Sequence, residues 1–205
     1  MSRATVTRLA VAALVAIAAV ALVATAVGGP KRKGGDRAVV AKLRDSSGKQ
    51  VARAVLRQGR RGTVQVLVRA QGLKPGFHGF HIHERGVCEA PSQDADGKTG
   101  AFLSAGGHLK QGTQAHGAHA GDMPSLFADR RGRARAAFAI DSYRLRDLTE
   151  GDGAAVMIHA SPDNFANIPD RYRSSEANKP GPDDATLKTG DSGDRVACGV
   201  AARRR

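Results

Sequence analysis

At 205 residues, with 32 basic against 19 acidic side chains and a formal net charge of +13, the chain has room for one domain with a sizeable core. An excess of this size points to polyanions, an anionic lipid or cell-wall surface, or a small anionic substrate. Nucleic acid is not supported: there is no Trp, aromatic content is 4%, and nowhere do arginines interleave with stacking aromatics. The clusters Lys31-Arg32-Lys33, Arg60-Arg61, Arg130-Arg131 and Arg203-Arg204-Arg205 fall in termini and turns and read as solvated charge.

Residues 1–27 carry a basic start (Arg3, Arg8), the uncharged apolar run Leu9 to Val27, and the small-residue site Ala24-Thr25-Ala26. That is the pattern of a signal peptide, with an uncleaved membrane anchor as the rival reading. Either way the domain is exported, to be secreted or held at the cell envelope. Cleavage near Ala26 removes Arg3 and Arg8 and leaves 30 basic against 19 acidic residues, or +11. Residues 28–37 then read as a flexible basic linker, residues 38–202 as the folded domain and residues 203–205 as a basic tail.

Within the domain, short stretches of strand character alternate with turn signals. The predicted strands are 38–44, 50–57, 63–70, 77–84, 125–129, 133–140, 154–160 and 195–200, with Ser46-Ser47-Gly48-Lys49 and Arg130-Arg131-Gly132 as turns. Val64, Val66 and Val68 alternate with Gln65, Leu67 and Arg69, a period of 2. The expectation is an all-β fold, an antiparallel barrel or sandwich of about eight strands. Arg144–Leu148 reads as a helical turn. Two long stretches, Glu84–Met123 and Ser161–Asp194, resist strand assignment, and loops of this length in a compact domain carry function or are disordered. Only two cysteines occur, Cys88 and Cys198. In an exported chain a disulfide between them would persist, worth on the order of 4–5 kcal/mol in the chain-entropy model, with two free buried thiols as the alternative.

The chemistry gathers around Phe77–Glu84. His81 and His83 stand at i and i+2 and so share one face of a strand, whereas His78 has the opposite parity and reads as structural. His159 ends another predicted strand, and the glycine-rich loop supplies His108, His116, His119 and Asp122. Imidazoles alone suit copper or zinc, and an added carboxylate favours zinc. Seven candidate groups for two metals leave one histidine shared, which an imidazolate permits because both ring nitrogens can bind.

These residues resemble the copper/zinc superoxide dismutases, in their secreted actinobacterial branch. The matching segments are His78-Gly79-Phe80-His81-Ile82-His83, Ser104-Ala105-Gly106-Gly107-His108, His119-Ala120-Gly121-Asp122, Met157-Ile158-His159 and Gly190–Val200, with Asn164-Phe165-Ala166-Asn167-Ile168-Pro169 marking the branch. The resemblance runs from about Ala38 to Ala202 and implies a Greek-key barrel with two long functional loops. It implies copper on His81, His83, His108 and His159, and zinc on His108, His116, His119 and Asp122. Asp163 would link a histidine of each metal site, and Cys88 and Cys198 would be disulfide-bonded. Arg195 would dock the anion beside the copper, with Thr189 narrowing the channel. The implied reaction is the dismutation of superoxide to dioxygen and hydrogen peroxide by a copper that is alternately reduced and reoxidised, with His108 carrying a proton. Monomer and homodimer both occur in such families.

One departure stands out. Only seven residues separate His108 from His116, and only Gly117-Ala118 separates His116 from His119. The family usually has a longer loop here, so beside the copper and zinc reading a copper-only dismutase without a tetrahedral zinc site stands as the alternative. The other readings are a copper-buffering domain without turnover and a metal-stabilised cell-surface binding module. Four imidazoles leave no open position beside a carboxylate base, which argues against a hydrolytic zinc enzyme.

Overall fold

The computed structural model describes residues 38–174 and 178–204. The leader 1–27 and linker 28–37 lie outside the described residues, as does Arg205. Among the described residues no helix is long and apolar enough to cross a membrane.

Eight strands form the body: β1 (Ala38–Arg44), β2 (Gln50–Gln58), β3 (Val64–Ala70), β4 (Gly76–His83), β7 (Asp122–Ala128), β8 (Ala134–Ile140), β9 (Ala155–His159) and β10 (Arg195–Val200). A two-stranded ribbon, β5 (Ser92–Gln93) with β6 (Thr99–Gly100), lies in the first long loop, and β11 (Ala202–Arg203) follows β10. Around the body the order is β10-β9-β4-β7-β8-β3-β2-β1, antiparallel throughout, and Arg44 pairing with Cys198 joins β1 to β10 and closes the barrel. β3 therefore neighbours β8 rather than β4, a Greek-key crossing.

The alternation predicted for β3 is realised: Val64, Val66 and Val68 are buried while Gln65, Leu67 and Arg69 are exposed. Inward side chains from every strand, including Leu43, Leu56, Phe80, Leu126 and Ile158, form one apolar core. Turns are set by carboxylates. Asp45 Oδ1 accepts from the N–H groups of Ser47 and Lys49, and Asp129 Oδ1 accepts from those of Arg131 and Arg133, ahead of Gly132 at φ +70°. The predicted helical turn is a 3₁₀ segment, Leu145–Leu148.

Most strand ends differ from the sequence reading by at most a single residue, and two boundaries differ in a way the pairing explains. β7 begins at Asp122, three residues early, because Asp122 and Met123 pair with His81 and Phe80 of β4. Its histidine- and glycine-rich approach carries no alternation to announce it. The basic tail also does not start at 203: Arg203 pairs with Val39, and the Arg204 N–H donates to the Ala38 carbonyl. β1 meets β10 at a single rung, so its remaining edge groups find partners in β11.

β9 and, from His78 onward, β4 are buried on both faces. Phe80, Ile82, Val156 and Ile158 point into the barrel. Ala155, Met157 and Cys198 instead pack outside it against Phe102 and Ala105 of the first long loop. The Cys88–Cys198 disulfide, with Cα atoms 5.7 Å apart, ties that loop to β10. His81, His83 and His159 share the outward parity and lie beneath the loops.

Candidate metal centre

The alternation of β4 and β9 puts His81, His83 and His159 on one face. The loop returns His108 to it through an isolated bridge with His83 and through hydrogen bonds that lock residues 105–109 to β4. The same loop carries His116 and His119, and all six of these histidines are buried. They form two groups with converging ligand atoms: His81, His83, His108 and His159, and a second containing His81, His108, His116 and Asp122. His119 joins the second group, with Nδ1 3.5 Å from Asp122 Oδ1.

The hydrogen bonds decide which ring nitrogen is available. A carbonyl or carboxylate oxygen only accepts, so the nitrogen facing it carries the proton and the other nitrogen keeps a lone pair. His83 Nδ1 donates to the Gly106 carbonyl (2.9 Å) and His159 Nδ1 to the Gly193 carbonyl (3.0 Å). Their Nε2 atoms, both lone-pair bearing, then face each other at 3.3 Å. His81 Nε2 donates to Asp163 Oδ2 (2.7 Å), which leaves a buried Nδ1 with no hydrogen-bond partner. Converging lone pairs and a buried nitrogen without a hydrogen-bond partner are satisfied together by a cation.

The second group differs in one respect: Asp122 Oδ1 converges with three ring nitrogens as a fellow ligand rather than fixing the tautomer of any one of them. His116 Nε2 donates to Asp163 Oδ1 (2.7 Å), so Asp163 links His116 to His81 and also accepts the Phe165 N–H. The Nδ1 atoms of His108, His116 and His119 then lie 3.0, 3.3 and 3.5 Å from Asp122 Oδ1. Bonds of about 2.0 Å at tetrahedral angles put ligand atoms about 3.3 Å apart. His119 Nδ1 is buried and unpartnered, like His81 Nδ1. The two-residue gap between His116 and His119 does not separate them, because the Gly117 and His119 N–H groups both donate to Asp122 Oδ2. One carboxylate oxygen thus clamps the tight turn while the other faces three imidazoles. Both donor sets fit a metal ion, and although His81 and His108 fall in both groups, Asp163 holds His81 Nε2, so only His108 can offer a separate nitrogen to each.

Burial holds His83 and His159 well below the usual imidazole range, and the neighbouring rings and Arg195 push the same way. Burial also lowers His108 to about 4, against the pull of Asp122. At His116 burial is outweighed by the Asp122 and Asp163 carboxylates, which raise it to about 9. Burial works against ionisation of both carboxylates, yet their imidazole partners hold them below the usual range.

Arg195 stands opposite His159 on β10. Its Nη1 and Nη2 donate to the Phe102 and Gly106 carbonyls, both at 2.6 Å. It lines a cleft of about 960 Å³ with His83, His108, His159, Lys188 and Thr189. Thr189 ends the short helix α1 (Thr186–Thr189) and is exposed at that rim. His78 is buried below the metal groups, with Nδ1 2.7 Å from the His159 carbonyl and Nε2 2.8 Å from that of Lys74. The orienting carbonyls of Phe102, Gly106 and Gly193 had no side-chain signature to find them by. The glycine pairs around 106 and 190–193 are the only trace in the sequence.

Comparison with known proteins gives a consistent set. Residues 50–201 match the family model "Copper/zinc superoxide dismutase (SODC)". A copper/zinc superoxide dismutase of Mycolicibacterium paratuberculosis is 45% identical over 141 residues, 67% of this chain and 62% of the relative. One from Mycobacterium tuberculosis is 46% identical over 129 residues, 62% of this chain and 54% of the relative. This chain therefore spans a little over half the length of these relatives. The solved copper/zinc superoxide dismutase of Brucella abortus superposes with a TM-score of 0.59 at 29% identity, covering 80% of this chain and 98% of that one.

Proposed function

This chain belongs to the copper/zinc superoxide dismutase family, and on that premise we propose that it is an exported superoxide dismutase converting superoxide to dioxygen and hydrogen peroxide. The observation that carries the reading is the double convergence of ring nitrogens, in which His81 and His108 fall in both groups and His108, whose Nε2 is not held by Asp163, is the one that can offer a separate nitrogen to each. His81, His83, His108 and His159 hold copper, and His108, His116, His119 and Asp122 hold zinc. Copper supplies reversible one-electron exchange with superoxide, and zinc supplies a fixed positive charge.

The chain's own groups do the rest. Arg195 spends one N–H on each of two carbonyls, which fixes its plane and leaves other donors of the guanidinium for a small anion. The cleft lining holds five basic and four acidic residues, so focusing rests on Arg195 itself rather than on the rim as a whole. His108 is the proton carrier. Asp122 holds its Nδ1 edge, so the proton is taken and passed to the peroxide product at Nε2, the edge turned away from Asp122. Asp163 fixes the tautomers of His81 and His116 together, which couples the two donor sets. Thr189 narrows the approach. His78 supports β9 through the His159 carbonyl.

Export rests on the apolar leader and agrees with the Cys88–Cys198 disulfide, a bond that persists in oxidising compartments. The test pairs metal content with superoxide consumption after reconstitution with copper, with and without zinc. Fast, salt-sensitive turnover at one copper per chain, abolished in His159→Ala and weakened in Arg195→Ala, is the expected result. Full copper occupancy without turnover would leave a copper store instead.

A further inference from the structure

The outward face of β1, β2, β3 and β8 carries a feature the metal chemistry does not use. Strand register sets Lys42 opposite Arg53, Arg53 opposite Arg69, and Arg69 opposite Arg135. Four exposed cations therefore form one unbroken row across four adjacent strands, about 14 Å long at the usual strand spacing. Among the described residues no acid lies within ion-pair reach of any of the four. Like charges directly opposite one another destabilise a sheet, and this row accumulates three such pairs. The next row along the strands is apolar or small: Val40, Val55, Leu67 and Ala137.

We propose that this row is a docking track for a flexible, single-chain phosphate polymer. Charge complementarity selects a polyanion. Three of the four cations are arginines, whose planar forks match phosphate oxygens in pairs. Curvature selects a flexible chain. In a closed barrel of eight strands the four positions sweep about 135° of the circumference, so a flat bilayer or a stiff duplex meets only part of the row. No aromatic side chain stands in these rows to stack a base, so single-stranded nucleic acid gains nothing over the bare phosphate backbone. The track lies on the strands away from the β4–β9 face that bears the histidines, so it operates whether or not the chain turns over superoxide.

The test measures binding of the full chain to long-chain inorganic polyphosphate as a function of salt. Charge-matched polyglutamate, duplex DNA and phosphatidylglycerol vesicles are the competing arms. The double variant R53Q/R69Q removes the centre of the row. R130Q/R131Q removes the same charge from the β7–β8 turn. The expected result is tight polyphosphate binding that weakens roughly tenfold or more in R53Q/R69Q, with a salt slope shallower by about 2. R130Q/R131Q should change it less than about twofold, and superoxide consumption should be the same in all three proteins. Equal losses in the two double variants would reduce the effect to overall charge and overturn the proposal. So would binding to vesicles, duplex or polyglutamate that equals polyphosphate and falls in parallel in R53Q/R69Q, or no polyphosphate binding at all.

Discussion

Gly190→Ala isolates how the backbone behind the metal centre protects it. Gly190 sits at φ +60° after α1, its N–H donating to the Thr186 carbonyl and its own carbonyl accepting from Asn164. A Cβ at this position overlaps Asp163 Oδ1 and His116 Nε2, the two atoms of one orienting hydrogen bond. With both backbone groups engaged, the segment cannot easily retreat, so the carboxylate and ring must. Left-handed backbone in a residue with a Cβ costs about 1–2 kcal/mol whatever surrounds it. Gly151 provides the control, since it has φ +58° and nothing within 4 Å of an added Cβ. Gly151→Ala should therefore lose about 1–2 kcal/mol of stability by denaturant unfolding, and Gly190→Ala more, since the overlap adds to the same backbone cost. Only Gly190→Ala should also lose zinc affinity, by about 10–100-fold, as expected when an outer hydrogen bond to a ligand is broken. Competition against a chromophoric zinc chelator at neutral pH reads this directly. Equal zinc affinity in the two variants would refute the claim that Asp163 orients His116.

Three further outcomes are expected. Metal-free protein should be most stable near pH 6.5. The folded state binds fewer protons than the unfolded state at His108 between about 4 and 6.5, so stability falls on acidification; it binds more at His116 between 6.5 and about 9, so stability falls again towards alkali. Metal loading should flatten this curve, because neither ring can then take the proton, and urea midpoints across the pH range check it. The Cys88–Cys198 bond closes a 110-residue separation, so reducing it should cost on the order of 4–5 kcal/mol, with activity lost ahead of global unfolding as Phe102 and Gly106 release Arg195. Arg195→Ala should lower kcat/KM roughly tenfold and flatten its salt dependence, while Arg195→Lys keeps the charge but loses the two-carbonyl seat and falls between.

Much of this protein is legible before folding. Strand periodicity in 64–70, carboxylate turns at Asp45 and Asp129, the His81-x-His83 face and the ordered motifs through Val200 are local patterns, set by the two-residue repeat and by side chains that bond their own neighbours. What only the tertiary structure decided depends on partners far apart in the chain. The short spacing between His116 and His119 is accommodated because Asp122 Oδ2 clamps the Gly117 and His119 N–H groups while Oδ1 faces the rings. Which nitrogen of each histidine is free follows from the carbonyls of Gly106 and Gly193 and from Asp163, none of which is adjacent in sequence to its ring. The cation row exists only because β3 pairs with β8 rather than with β4, in a register that sets Arg69 against Arg135. Register and tautomer are properties of long-range hydrogen bonds, and a linear sequence does not say which bonds will close.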